Sequence, residues 1–444
     1  MKARKPALGF IFITMLLDVL GFSLLIPVGP KLVESMLHGG AGGTEQEAAP
    51  VYATLQSTFY LFSFFCAPLL GVLSDRFGRR PVILISLLGS GIDFFAQALA
   101  PNLTFFFITR AINGISGANV TVCTAYVADI SPPEKRAASI GLLFAAFGVG
   151  FTLGPLMGGW LGGYGLRVPF FVAGAITIVN WIYGCFVLPE SLPEERRTPA
   201  IRWGRANPIG SLAGLTRYPV VFGLAWALFL LNASQFSLHA TWVLSWQHRF
   251  DWSPRMVGFS LFAVGFLSMI VQGGLVRKIV PALGERRAMM LGISVSTLAF
   301  VGYGTAWSPW MVFATILFGA LSGIAGPAVQ AMITKSVRPD EQGTVQGALS
   351  SLAAIAGIVG PQVGGHLFAY FISERAPAPI PGAPFLASAL MSLVGLLIAA
   401  WVTRGWRPLD LHAQDRAEPM PPVSAEAPID TAQATPETRP TGAA

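Results

Sequence analysis

A chain of 444 residues that is 53% hydrophobic and only 11% charged lacks the polar surface of a water-soluble protein, where about a quarter of residues are charged. Three cysteines at unrelated spacings exclude a disulfide framework or a cysteine metal site, and the net charge of +7 is distributed in a way that excludes a nucleic-acid surface. What remains is an all-α membrane protein. A span needs about 20 apolar residues, and twelve such runs are predicted, at 7–30, 52–73, 82–100, 103–127, 138–161, 168–189, 219–244, 255–278, 288–306, 310–334, 345–371 and 383–403.

The first run follows Lys2, Arg4 and Lys5 but is not a secretory signal: it is too long, holds Asp18 and has no small-x-small cleavage site. Between runs two and three lies "GVLSDRFGRRPV", Gly71 to Val82, in which Gly78 predicts a tight turn. Run three contains Asp93 and run four Arg110. An ion at mid-membrane costs roughly 2.5–3.5 kcal/mol even on lenient scales, so Asp18, Asp93 and Arg110 are the strongest chemical signals. A carboxyl in a cavity that alternates between wet and dry can take up and release a proton. Arg110 either biases the charge of those carboxyls or reaches to the outer headgroups. Run five carries "GVGFTLGPLMGG", where Pro155 removes a backbone hydrogen bond and Gly150, Gly154 and Gly158 permit close packing.

A charged, proline-rich segment, 190–218, divides the chain near its middle, and 407–444 is too polar to order itself. The expected organisation is a six-helix bundle over 1–189, a cytoplasmic linker over 190–218, a second bundle over 219–406 and a disordered cytoplasmic tail. With both ends on the cytoplasmic side, the segments there hold 23 of the 29 Lys and Arg, and the external loops hold five. This is the positive-inside bias.

One constant offset of 206 residues relates the halves: Gly78 meets Gly284, Pro133 meets Pro339, and "GPLMGG" (154–159) meets "GPQVGG" (360–365). Six spans separate equivalent points, so the copies are parallel repeats. Between Pro219 and Thr403 no Asp or Glu lies inside a span. The seventh run instead offers Asn232, Gln235 or Phe236, and His239 on one helical face, with Trp242 nearby. Gln272 and Gln330 complete a set of groups suited to an amphipathic, ring-containing substrate. The competing reading is that these residues join helices by hydrogen bonds.

The Gly71–Val82 loop resembles the signature after helix two of the major facilitator superfamily, and residues 147–163 resemble the helix-five signature of its proton-coupled antiporters. "MLLDVLGFSLLIPVGPKL", "LISLLGSGIDFF", "RAINGISGANVTVCTAYVADIS" and "ATWVLSWQHRFDWSPRMVGFSL" are similar to segments of its tetracycline-exporter branch. The resemblance implies twelve transmembrane helices in two parallel six-helix bundles, with substrate near the midplane between them. It also implies a lock formed by Gly71, Asp75, Arg79 and Asp129 that steadies one facing state. Enterobacterial members of the branch carry a His in helix eight and an Asp in helix nine, where this chain has Ser268 and Ser296.

The expected function is proton-coupled efflux of a drug-like amphipath, tetracycline first, from a bacterial-type inner membrane. The protein is expected to act as a monomer, without cofactor, metal or nucleic acid, driven by the proton gradient rather than by enzymatic chemistry. The alternatives are transport of another small metabolite on the same scaffold, or a non-transporting membrane sensor.

Overall fold

The first predicted run does not form one helix. In this computed structural model, helix α1 (Leu8–Ser23) stops after 16 residues, a turn carries the chain through Pro27, and a short α2 (Gly29–Met36) follows. Proline lacks the N–H that a helix needs and disfavours the helical conformation of the residue before it, here Ile26. The structure describes residues 8–117, 119–198, 212, 214–338 and 341–406. Lys2, Arg4 and Lys5, residues 199–211 of the linker, Pro339 and the 407–444 tail lie outside the described residues.

The other predicted runs appear as α3 (Glu45–Phe77), α4 (Arg79–Ala98), α5 (Leu103–Ser116) with α6 (Asn119–Ile130), α7 (Pro133–Gly162) and α8 (Val168–Val187) in the first half. The second half has α9 (Pro219–Phe250), α10 (Pro254–Ile270) with α11 (Val276–Leu283), α12 (Glu285–Thr305), α13 (Pro309–Gly319) with α14 (Ala325–Lys335), α15 (Gln342–Phe371) and α16 (Ala383–Val402). Among the described residues ten helical segments are long and apolar enough to cross a membrane. The shorter α1 and the interrupted α5–α6 fall where the other two of the twelve expected crossings lie.

The repeat is visible in the backbone. α3 ends at Phe77 and α10–α11 at Leu283, while α4 begins at Arg79 and α12 at Glu285, each pair at the same 206-residue offset. Gly78 and Gly284, between them, both take left-handed φ angles, 100° and 78°, a conformation open to glycine without strain. Just beyond, Arg79 pairs with Asp129 at 3.0 Å. At the equivalent positions Glu285 pairs with Lys335, so the second copy keeps the ion pair with its charges exchanged.

Each half has its own apolar interior: Phe10, Ile11, Ile83, Tyr126 and Leu143 in the first, Met289, Ile293, Ile324 and Met332 in the second. Tryptophans mark the membrane borders. Trp160, Trp307 and Trp310 stand exposed near one face, and Trp226 and Trp401 near the face that carries the Gly71–Val82 loop, called here the loop face.

The halves meet chiefly where α7 packs on α10 and α3 on α15, and the duplicated glycine motif makes both contacts. In the first copy Gly154 and Gly158 lie against Ser23 and Leu24 at the end of α1, while Gly159 crosses to Gly258 of the other half, whose Cα would stand 3.1 Å from an added Cβ. In the second copy Gly360 and Gly364 lie against Ala233 and Ser237 of α9, while Gly365 crosses to Ala49 and Ala53. Each motif helix thus joins its own first helix to the opposite half.

These contacts gather at the end away from the loop face. Ser57 donates to the Ile358 carbonyl at 2.7 Å, and Gln362 donates to Ser57 at 3.1 Å. His248 meets Glu45 at 2.7 Å, the ion pair among the described residues that joins the halves. Toward the loop face, Gly141, Gly148, Gly273, Gly274, Gly343 and Gly347 have no neighbour within 4 Å of where a Cβ would sit. The described conformation is closed at the far end and open toward the loop.

Glu45→Gln is expected to favour opening of the far end by up to about fivefold, the scale of about 1 kcal/mol for a partly exposed pair. The check is the reactivity of a cysteine introduced at Ala53, buried in that contact, toward an impermeant maleimide.

Candidate functional site

Asp93 and Arg110 stand on neighbouring helices, α4 and α5, and both are buried, at 3% and 6% exposure. Burial excludes the headgroup-reaching reading of Arg110. The Asp93 Oδ2 accepts from Gln97 Nε2 at 2.5 Å, one helical turn on, and Asn113 of α5 also stands beside the carboxyl. Oδ1 is buried with no hydrogen-bond partner. Arg110 donates from Nη2 to Gln56 Oε1 at 2.5 Å, and its Nε is buried and unpartnered. Its guanidinium lies over Phe59 at 5.0 Å and Phe22 at 5.6 Å, cation–π contacts that matter more away from water. No ion pair joins it to Asp93.

Beside Arg110 and Gln97 is a cavity of about 30 Å³, room for roughly two waters. Phe22, Tyr52, Gln56, Gln97, Phe106 and Arg110 are among the residues that line it. Two buried ionisable groups, each with an unsatisfied atom, therefore lie close to a small space within the first half, which Arg110 lines directly and Asp93 reaches through its partner Gln97. Sequence reasoning missed Gln56, Gln97 and Tyr52. Gln97 had a signal, its spacing of four from Asp93; Gln56 and Tyr52 had none.

Asp18 is separate. It shares the α1 face of Phe22, one turn away, and sits near Cys123 of α6. Among the described residues it has no hydrogen bond or ion pair. At the positions related to Asp18, Asp93 and Arg110 by the repeat, the second half has Leu224, Ala299 and Ile316, all buried. The membrane-embedded charge belongs to the first half.

The candidate substrate contacts divide. Phe236 and His239 face the opposite half, with Phe236 4.7 Å from the Tyr60 ring and His239 5.9 Å from Phe151. Gln235, Gln272 and Gln330 are exposed, and Gln272 lies by Gly323. Asn232 donates to its own helix at Leu228, 2.8 Å away. Trp242 is a correction. It is 1% exposed, donates to Ser260 at 3.0 Å and packs against Trp246, Tyr303 and Phe385, so it serves the interior of the second half. Helical spacing gave its position along α9 but not which face was already filled.

At the loop face Arg79 is the centre. It pairs with Asp75 at 2.7 Å and Asp129 at 3.0 Å, and donates to Ser74. All four predicted lock residues lie in the first half, and the described contacts of Asp75, Arg79 and Asp129 stay within it and the start of the segment that follows, at Glu190, Ser191 and Thr198. A Cβ on Gly71 would stand 4.0 Å from Thr121, so no close helix approach depends on it in the described conformation. In α7, by contrast, a Cβ on Gly150 would come within 2.7 Å of the Leu16 carbonyl, and the Pro155 carbonyl abuts Gly258.

An unforeseen residue orders this network. The Glu190 carboxylate, after α8, accepts from the backbone N–H groups of Arg79, Arg80, Ser191 and Leu192 at 2.9–3.3 Å. It thereby caps the start of α4. Glu190→Ala is expected to cost about 1–2 kcal/mol, as for loss of a helix cap, and to lower the thermal midpoint in detergent while leaving substrate KM unchanged.

Two halves related by a 206-residue repeat, meeting through helices that each bind their own first helix and the opposite half, with ionisable groups buried among apolar spans, have the build of a membrane transporter. The Major Facilitator Superfamily profile matches residues 11–361 and 282–433, and the chain belongs to that family. It is 37% identical over 363 residues to the class C tetracycline resistance protein of Escherichia coli, covering 82% of this chain and 89% of that one. Among solved structures, that of the human organic anion transporter MFSD10 (TETRAN) is similar with a TM-score of 0.67 and 27% identity, covering 88% of this chain and 98% of that one. A bacterial homologue of the human lysosomal transporter Spinster, inward-facing and occupied, has a TM-score of 0.71 at 16% identity and covers 90% and 98%, a likeness of fold alone.

Proposed function

We propose that the chain is a proton-coupled exporter of a drug-like amphipath, with tetracycline as the first candidate. The observation that carries this is the buried Asp93 and Arg110, with Arg110 and the Asp93 partner Gln97 lining a water-sized cavity, in a chain 37% identical to a tetracycline resistance protein. Asp93 exchanges a proton with water as the cavity wets and dries, Asp18 is a second acceptor on the α1 face, and Arg110 biases their charge. The two halves rock about the paired glycine contacts. The Asp75, Arg79 and Asp129 network steadies one facing state, and Phe236 and His239 meet the rings of the substrate.

The loop face is cytoplasmic in this reading, as are both chain ends, and the monomer suffices in the inner membrane. No cofactor takes part. The proton gradient supplies the work, including about 2.3 kcal/mol per charge for each 100 mV.

The test is proton release from energised inverted vesicles on addition of tetracycline, followed by other amphipaths. Tetracycline-evoked release is the expected result. Silence to every compound removes the antiport reading. A response only to another compound supports a second reading, transport of a different small molecule, which is favoured by Ser268 and Ser296 and by the apolar Leu224, Ala299 and Ile316.

A further inference from the structure

Arg110 and Gln97, the hydrogen-bond partner of Asp93, line one small cavity, and Arg110 and Asp93 are both buried groups of opposite kind, yet they do not pair. Leaving two such groups apart in a low-dielectric interior is costly, because each keeps a desolvated atom without a partner. Something must hold them apart. The Arg110 hydrogen bond goes instead to the neutral amide of Gln56 on α3. That amide is oriented in turn by its own Nε2, which donates to the Tyr52 hydroxyl at 3.4 Å. Phe59 and Phe22 cover the guanidinium, so its swing toward α4 is limited while Gln56 holds one end. Gln97 fixes the Asp93 carboxyl from the other side.

We propose that Gln56 is a positioning residue that holds Arg110 away from Asp93, leaving that carboxyl free to exchange its proton. This rests on the reading of Asp93 as the proton carrier. Without the Gln56 acceptor, Asp93 Oδ1, buried and without a hydrogen-bond partner, is left to accept, and the guanidinium moves onto it. A carboxylate beside an arginine keeps its charge to lower pH, typically by one to three pH units.

Two measurements on the full chain test this in Gln56→Leu and Gln56→Glu. The first is infrared titration of the Asp93 carboxyl in lipid nanodiscs, isolated by subtracting Asp93→Asn. It needs no substrate, so it remains decisive if drug export fails. In Gln56→Leu the midpoint should move to lower pH by about one unit or more, whereas Gln56→Glu, which binds the guanidinium more firmly, should not move that way. The second is the pH profile of drug-evoked proton release, which should shift in Gln56→Leu in the same direction as the infrared midpoint.

An unchanged infrared midpoint in Gln56→Leu overturns the proposal. So does a raised KM with an unchanged pH profile, which would make Gln56 a substrate contact. If Gln56→Leu does not fold, Tyr52→Phe, which removes the orienting hydroxyl, should give a smaller shift in the same direction, and no shift there overturns the proposal equally.

Discussion

Asp93→Asn is expected to abolish substrate-evoked proton movement, a fall of about a hundredfold or more, the scale of losing a proton-transferring group. The amide keeps the shape and can still meet Gln97, so the fold and the cavity should survive. Asparagine cannot gain or lose a proton in this range. The measurement is proton release from inverted vesicles with the variant and the intact protein at equal abundance, alongside substrate binding at equilibrium. Retained binding with lost proton release supports the assignment. Full proton release in the variant removes Asp93 from the mechanism and leaves Asp18 as the remaining carboxyl inside a span.

Gly258→Val should have the second largest effect, through packing alone. A Cβ on Gly258 would stand 3.2 Å from the Gly159 Cα and closer still to the Pro155 carbonyl. Both obstacles are backbone, which cannot step aside as a side chain can. Overpacking of this kind costs about 1–3 kcal/mol, and only in the conformation where α7 and α10 touch. The facing equilibrium should therefore move away from the described state by about 5–150-fold, and turnover should fall with it. Impermeant-maleimide reactivity of a cysteine at Ala53 reports the change. Unchanged reactivity would show that the α7–α10 contact does not govern closure of the far end.

The parts of this molecule that were legible in its sequence are those with a cost or a period. Apolar runs gave the crossings, the 206-residue offset gave the duplication, and Asp93 and Arg110 stood out because a charge in hydrocarbon is expensive. Gln56 and Tyr52 carry no such mark, since an uncharged polar residue in an apolar run acquires meaning only from a partner distant in sequence. Glu190 lay in a charged stretch where any carboxylate looks like solvated surface, and its four N–H partners come from the turn at Arg79 and from its own loop. The break after Ser23 was read through because Leu24, Leu25, Ile26 and Val28 are as apolar as a helix interior, leaving Pro27 alone to mark it. Trp242 was misassigned because a helical face read from spacing does not say which side of the bundle it meets.

The exchanged ion pair bears on how the two copies have diverged. Arg79 places a cation at the start of α4, the positive end of a helix dipole, where it is unfavourable; Glu285 places an anion at the start of α12, where it is welcome. The first copy therefore needs an outside carboxylate at that end, and Glu190 supplies it. The second copy does not, and Thr403, Arg404 and Gly405, which follow the corresponding last helix, contain no acid. The polarity of one pair has thus fixed which copy draws a helix-capping carboxylate from the segment between the halves. Ancestrally equal bundles have become unequal at this helix end, and exchanging Arg79 with Asp129 alone would set a second carboxylate beside Glu190.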